Sequence, residues 1–150
     1  MSISINPVIP QSLGSGLAGA IALNVLHETA RQIVPNAPRA DLLGMRSVAH
    51  GFEVVDKQPP SKEKLYKMAI LGDVLSNGLF YGLVGLNPNQ PLRTGIALGA
   101  LAGIGAVTLP GPLGLGEAST KRTTATAIMT VGWYVLGGLV AGAVLKRLTS

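Results

Sequence analysis

The sequence contains no cysteine, which excludes a disulfide framework, thiolate metal ligands and a cysteine nucleophile. Charged residues are also scarce, at 13% of 150 residues, whereas soluble domains carry roughly 25%. So few charges cannot cover a water-facing surface, which argues strongly against a free-standing soluble globule. Disordered chains combine low hydrophobicity with high net charge, and 47% hydrophobic residues argue against that class as well.

Several catalytic and cofactor-binding motifs are missing too. A zinc-hydrolase helix carries His-Glu-x-x-His, but the segment that begins His27-Glu28 has Arg31 where the second histidine belongs. The sequence has neither a GxSxG nucleophile elbow nor a GxxxxGK[ST] phosphate loop. We therefore expect no catalytic residues, no cofactor and no histidine-rich metal site; a hard-cation site at Glu28 and Asp73 is weakly indicated.

Four apolar runs are each long enough, at about 20 helical residues, to cross a hydrocarbon layer of roughly 30 Å. They cover residues 11–34, 64–86, 92–109 and 123–145. None alternates as barrel strands do. The sequence thus predicts an all-α fold, a polytopic integral membrane four-helix bundle that forms one domain over residues 1–150. Because residues 1–12 carry no charged n-region, we expect the first span to be retained rather than cleaved as a signal peptide.

The longest connection, residues 35–63, contains a short amphipathic segment. Apolar residues recur at three- and four-residue steps between Asp41 and Phe52, which predicts a helix with Asp41 as its N-cap. This helix either lies in the headgroup plane or packs as a loop helix under the bundle.

Basic residues in the connections predict the orientation. The chain has a net charge of +5, and in a membrane protein such an excess sets topology rather than indicating nucleic acid, which we do not expect as a partner. Eight basic residues fall on one side: Arg39, Arg46, Lys57, Lys62, Lys64, Lys67, Lys121 and Arg122. Three fall on the other: Arg93, Lys146 and Arg147. We therefore expect connection 35–63 in the cytoplasm and both termini outside, in a bacterial cytoplasmic membrane.

Glycines at four-residue spacing predict close packing between helices, since small residues let two backbones approach in lipid. The spaced glycines are Gly95, Gly99 and Gly103 in the third span, Gly78 and Gly82 in the second, and Gly138 and Gly142 in the fourth. These glycines serve either the bundle itself or, through the third span, a homo-oligomer.

Polar residues inside the first two spans are the candidate site, because an ionised group in the bilayer costs at least about 2.5 kcal/mol. The first span carries Asn24, His27, Glu28 and Arg31 on one face, and the second carries Asp73, Asn77 and Tyr81. If these spans are antiparallel neighbours, Asp73 meets Asn24 or His27, while Glu28 pairs with Arg31.

The glycine-rich loop after the third span is either a plain interfacial turn or a segment that dips into the membrane. In this loop, Glu117 either pairs with Lys121 or Arg122 or faces the polar residues of the first two spans.

Three functions fit these patterns besides a weakly indicated enzyme. The first is a transport- or channel-type subunit that uses Asp73, His27 and Glu28 on an ion or small solute. The second is a structural or assembly subunit whose polar residues only fix helix packing. The third is a membrane protein that binds lipid or a small molecule.

Overall fold

The computed structural model describes residues 8–150, and all of the regular secondary structure in that range is helical. Its α-helices are α1 (Val8–Ile33), α2 (Ala40–Val54), α3 (Lys62–Gly82), α4 (Pro91–Thr108), α5 (Ala118–Lys121) and α6 (Thr124–Leu148), and a 3₁₀ turn (Leu83–Leu86) extends α3. Residues 1–7 lie outside the described range, and with them most of the segment on which the signal-peptide expectation rests.

Four of these helices, α1, α3 with its 3₁₀ turn, α4 and α6, are long and apolar enough to cross a membrane. The predicted all-α class is confirmed. The four helices that could span a membrane correspond to the four predicted spans, and their ends agree within about three residues. The chain therefore has the helices of an integral multi-pass membrane protein.

The long helices form an arc rather than a closed ring. Helix α6 packs against α4 on one side and α1 on the other, and α3 packs against the far side of α1. Helices α3 and α4 touch at few points. Because α2 lies against α3 and α5, it covers the gap between α3 and α4 at the end of the bundle where α1 ends.

Glycines bring the backbones into contact at the opposite end. A methyl group at Gly95 would collide with the carbonyl oxygen of Gly138, and one at Gly142 would collide with that of Pro91. On α1, a methyl group at Gly16 would collide with the Gly78 carbonyl oxygen and the Gly82 backbone. This half of the described bundle is therefore packed backbone to backbone.

The spaced glycines of α4 face α6 within the same chain. A Cβ atom at Gly103 would lie 2.7 Å from the Val131 Cα atom, and Gly99 meets the backbone of Tyr134 and Val135. Gly95, Gly99 and Gly103 are all buried, so the alternative of a homo-oligomer through the third span has no support from them.

The prediction that Asp41 caps α2 is wrong. The N-cap residue is Arg39, and no side chain caps the helix. Asp41 lies inside the first turn, where its carboxylate accepts two hydrogen bonds from the Arg39 guanidinium. Arg39 is thus the main partner of the carboxylate, and the backbone N–H of Leu42 also contributes a hydrogen bond.

Candidate functional site

Asp73, on the second spanning helix, connects that helix to the first. Its Oδ2 atom accepts a hydrogen bond of 2.6 Å from Asn24 Nδ2, and its Oδ1 atom accepts one of 2.8 Å from Asn77 Nδ2. Asn77 lies one turn beyond Asp73 on α3, whereas Asn24 belongs to α1. Both donors are neutral amides, so the carboxylate is held in the interior without a cation.

Glu28 forms a separate group one turn farther along α1. Its Oε2 atom accepts hydrogen bonds from Arg31 Nε and Nη2, at 2.9 and 2.7 Å, and from the Tyr66 hydroxyl at 2.8 Å. Tyr66 was missed at the sequence level. Tyr66 lies seven residues, or two helical turns, before Asp73, so the two residues share one face of α3. This spacing was the signal in the sequence that could have identified Tyr66.

His27 makes no hydrogen bond to Asp73. Its ring packs against Trp133 and Tyr134, with centroid separations of 5.3 and 5.8 Å, and only 4% of the residue is exposed. Neither ring nitrogen has a hydrogen-bond partner. His27 therefore lies next to the Asp73 group without being bonded to it.

Tyr81 is placed with α6 rather than with Asp73. It is fully buried, and its hydroxyl donates a 2.8 Å hydrogen bond to the Tyr134 carbonyl oxygen. Tyr81 thus ties α3 to the middle of α6.

The Arg39–Asp41 ion pair lies on the α2 side of the site. Burial by itself would raise the pKa of Asp41, but the hydrogen bonds and charge of Arg39 hold that pKa below its ordinary value. The Arg39 backbone N–H also donates to the Ser119 carbonyl oxygen, which joins α2 to α5. Sequence reasoning treated Asp41 as a cap and did not pair it with Arg39.

The loop residues lie away from these groups. Lys121 Nζ is 3.4 Å from Glu117 Oε1, and Arg122 reaches the Asn36 side chain at 3.4 Å. Gly114 and Gly116 adopt φ angles of +73° and +79°, the left-handed region that glycine enters without strain. The loop forms turns there, and Glu117 is exposed rather than directed at the cluster.

Two neighbouring cavities lie beneath α2 and share Leu43, Ser47 and Tyr134. The larger, about 600 Å³, is the α3–α4 crevice, lined mainly by apolar side chains that include Phe80, Leu101, Ala106, Leu109 and Leu113, with Asn77 also in its wall. The smaller, about 360 Å³, is the α2 pocket, whose lining includes Gly44, Gly72, Asp73 and Ser76. Together they run from an apolar crevice to a pocket of mixed lining that includes Asp73 and Ser76.

Within residues 8–150, no group of three histidine, aspartate or glutamate side chains is arranged to hold a metal ion. Glu28 and Asp73, the two carboxylates considered for a hard cation, belong to different hydrogen-bonded groups.

No family model, no curated protein and no solved structure matches this chain.

Proposed function

We propose that this protein binds a membrane-soluble amphiphile, with the apolar chain in the α3–α4 crevice and the polar head in the α2 pocket. The observation that carries the proposal is the change of lining between two adjoining cavities, from the mainly apolar crevice to a pocket whose wall includes Asp73 and Ser76. The crevice volume of about 600 Å³ falls within the 300–1,000 Å³ usual for ligand pockets.

The chemistry of Asp73 selects the head group. Each carboxylate oxygen already accepts one amide hydrogen bond, but a carboxylate offers about four acceptor sites in all. A hydroxyl or ammonium group can donate to the remaining sites, whereas an anionic head would face a like charge. We therefore propose an amphiphile with a hydroxyl or amine head.

A transport- or channel-type role, the first function inferred from sequence, requires a polar route to the opposite surface. Across residues 8–150, the half of the bundle away from α2 is filled by backbone contacts at Gly16, Gly95 and Gly142. A site entered from one side accords better with binding than with conduction. We further propose that α2 and the crevice mouth face the cytoplasm, as the basic residues predict.

The test compares three probes of equal chain length by native mass spectrometry of the detergent-purified protein. Dodecylamine and 1-dodecanol should bind. Dodecanoic acid should bind at least about tenfold more weakly, because opposed like charges cost several kcal/mol. Asp73→Asn should remove most of this discrimination; equal binding of all three probes to the wild type contradicts the proposal.

A matched pair of variants locates the bound chain. Ala106 lines the crevice, whereas Ala97, on the same helix, is exposed and lines none of the cavities described above. Ala106→Trp should abolish dodecylamine binding and Ala97→Trp should leave it unchanged. If the polar residues only fix packing, Asp73→Asn will lower the melting temperature while neither the wild type nor any variant binds a probe.

A further inference from the structure

His27 is a buried polar side chain whose two ring nitrogens have no hydrogen-bond partner among residues 8–150. A neutral imidazole has one N–H donor and one acceptor nitrogen, and in His27 both are buried without a partner. Leaving such groups unsatisfied costs the full desolvation of each. Native structures satisfy nearly all buried polar atoms, often with ordered water.

An enclosed cavity adjoins the ring. It has a volume of about 10 Å³, and its lining includes Asn24, Glu28, Asp41, Ala69 and Asp73 as well as His27. About 10–15 Å³ is the space that one water molecule needs, and a buried water makes two to four hydrogen bonds. The cavity has the size and the polar walls for one water, and we name it the His27 cavity.

We infer that the His27 cavity holds an internal water, and that His27 with this water carries protons between Asp41 of α2 and Asp73 of α3, which both line the cavity. A proton that reaches the Asp41 carboxylate passes through the water to the free nitrogen of His27, giving an imidazolium. The imidazolium gives the proton of its other ring nitrogen to the Asp73 carboxylate, which lines the same cavity. His27 ends neutral and Asp73 ends as the uncharged acid.

The groups around His27 give the route its direction. Trp133 and Tyr134 of α6 cover the ring on one side, so the polar neighbours are Asn24 and Glu28 on α1, Asp41 on α2 and Asp73 on α3. Arginine holds two of the three carboxylates, Arg31 at Glu28 and Arg39 at Asp41. Asp73 has only neutral donors. Of these three carboxylates, Asp73 is the one whose oxygens are held by no cation, and we place the end of the route there.

This inference does not depend on the amphiphile, because the water and the proton route involve only residues of the chain. The proton route nevertheless has one consequence for amphiphile binding. Protonation removes the charge of Asp73, and the site then no longer discriminates between amine and acid heads.

The first experiment detects the water. The chain has only two histidines, His27 and His50, so a His50→Gln protein labelled with ¹⁵N-histidine reports on His27 alone in solid-state NMR. Polarisation transferred from water protons should reach the His27 ring nitrogens in liposomes. A His27 ring that receives no transfer, while the exposed His50 ring of the wild-type protein does, overturns the proposal.

The second experiment measures proton arrival at Asp73 by infrared spectroscopy of the carboxylic-acid band after a pH jump, with ¹³C-aspartate for assignment and Asp73→Asn as the blank. His27→Phe should slow the appearance of this band by at least about tenfold, in line with the usual contribution of a positioned acid–base group. His50→Phe is the control, because His50 is exposed and lies outside the cavity, and it should behave as the wild type.

A second variant guards against misfolding. His27→Gln keeps a polar side chain but cannot accept and release a proton in this way, so it should fold and still show the slow phase. Wild-type rates in His27→Gln overturn the route. Dodecylamine binding, measured on the same variants, separates the two proposals. Intact binding together with slow proton arrival supports both. Fast proton arrival without binding overturns both.

Discussion

At the residue scale, the site depends on which partner each carboxylate has. Asp41 and Glu28 face arginine, whereas Asp73 faces two amides. The sequence predicted the Glu28–Arg31 pair by its three-residue spacing, and the structure has that pair. Spacing could not reveal that Arg39 turns back onto Asp41 or that His27 faces the aromatic rings of α6, because both depend on how the elements pack.

The pH dependence of stability follows from Asp41. Its pKa is lowered in the folded protein, so the charged carboxylate stabilises the fold fully above its unfolded pKa of about 3.9. That contribution is lost as the pH falls through the still lower folded value. We expect the melting temperature to fall between pH about 5 and 3, and Asp41→Asn to reduce this dependence.

The control for Asp41 is Glu63→Gln. Glu63 pairs with Lys67 on the exposed surface of α3, and such pairs contribute little, so the acid-dependent loss should persist in this variant. An Asp41→Asn protein whose melting temperature falls with acid as steeply as the wild type contradicts the assignment.

At the scale of the elements, hydropathy located the spans because bilayer thickness sets helix length. It could not give their order around the bundle. The glycines of α4 were ambiguous between α6 and a second chain, and only the packing assigns them to α6. Gly16 has only a weak spacing signal in the sequence, yet it lies against the backbone at both Gly78 and Gly82.

Gly95→Ala tests the packing of α4 on α6. The added methyl group would collide with the Gly138 carbonyl oxygen, and overpacking costs about 1–3 kcal/mol, so unfolding in mixed micelles should become easier by that amount. Gly132→Ala on α6 is the control, since a Cβ atom there meets nothing within 4 Å. Equal stability of the two variants would contradict the predicted contact.

At the scale of the whole molecule, composition predicted a multi-pass membrane protein, since charged residues are too few to cover a soluble surface. The gap between α3 and α4 was not foreseeable, because it results from α6 and α1 taking the central places. The crevice on which the proposed amphiphile site depends could therefore not be predicted from the sequence.

The orientation can be tested directly, since the chain is free of cysteine. Single substitutions Val55→Cys and Leu113→Cys should be shielded from an impermeant maleimide added to intact cells, whereas Pro88→Cys and Thr149→Cys should react. The opposite pattern would reverse the proposed topology.

Photo-crosslinking tests the central claim most directly. Dodecylamine carrying a terminal diazirine is irradiated with the protein in nanodiscs, and the labelled peptides are mapped by mass spectrometry. We predict labelling of α4 and its following loop between residues 101 and 113, competed by 1-dodecanol and absent in Ala106→Trp. Labelling confined to exposed positions such as Ile128 and Leu136 on α6, without competition, would contradict a binding site between α3 and α4.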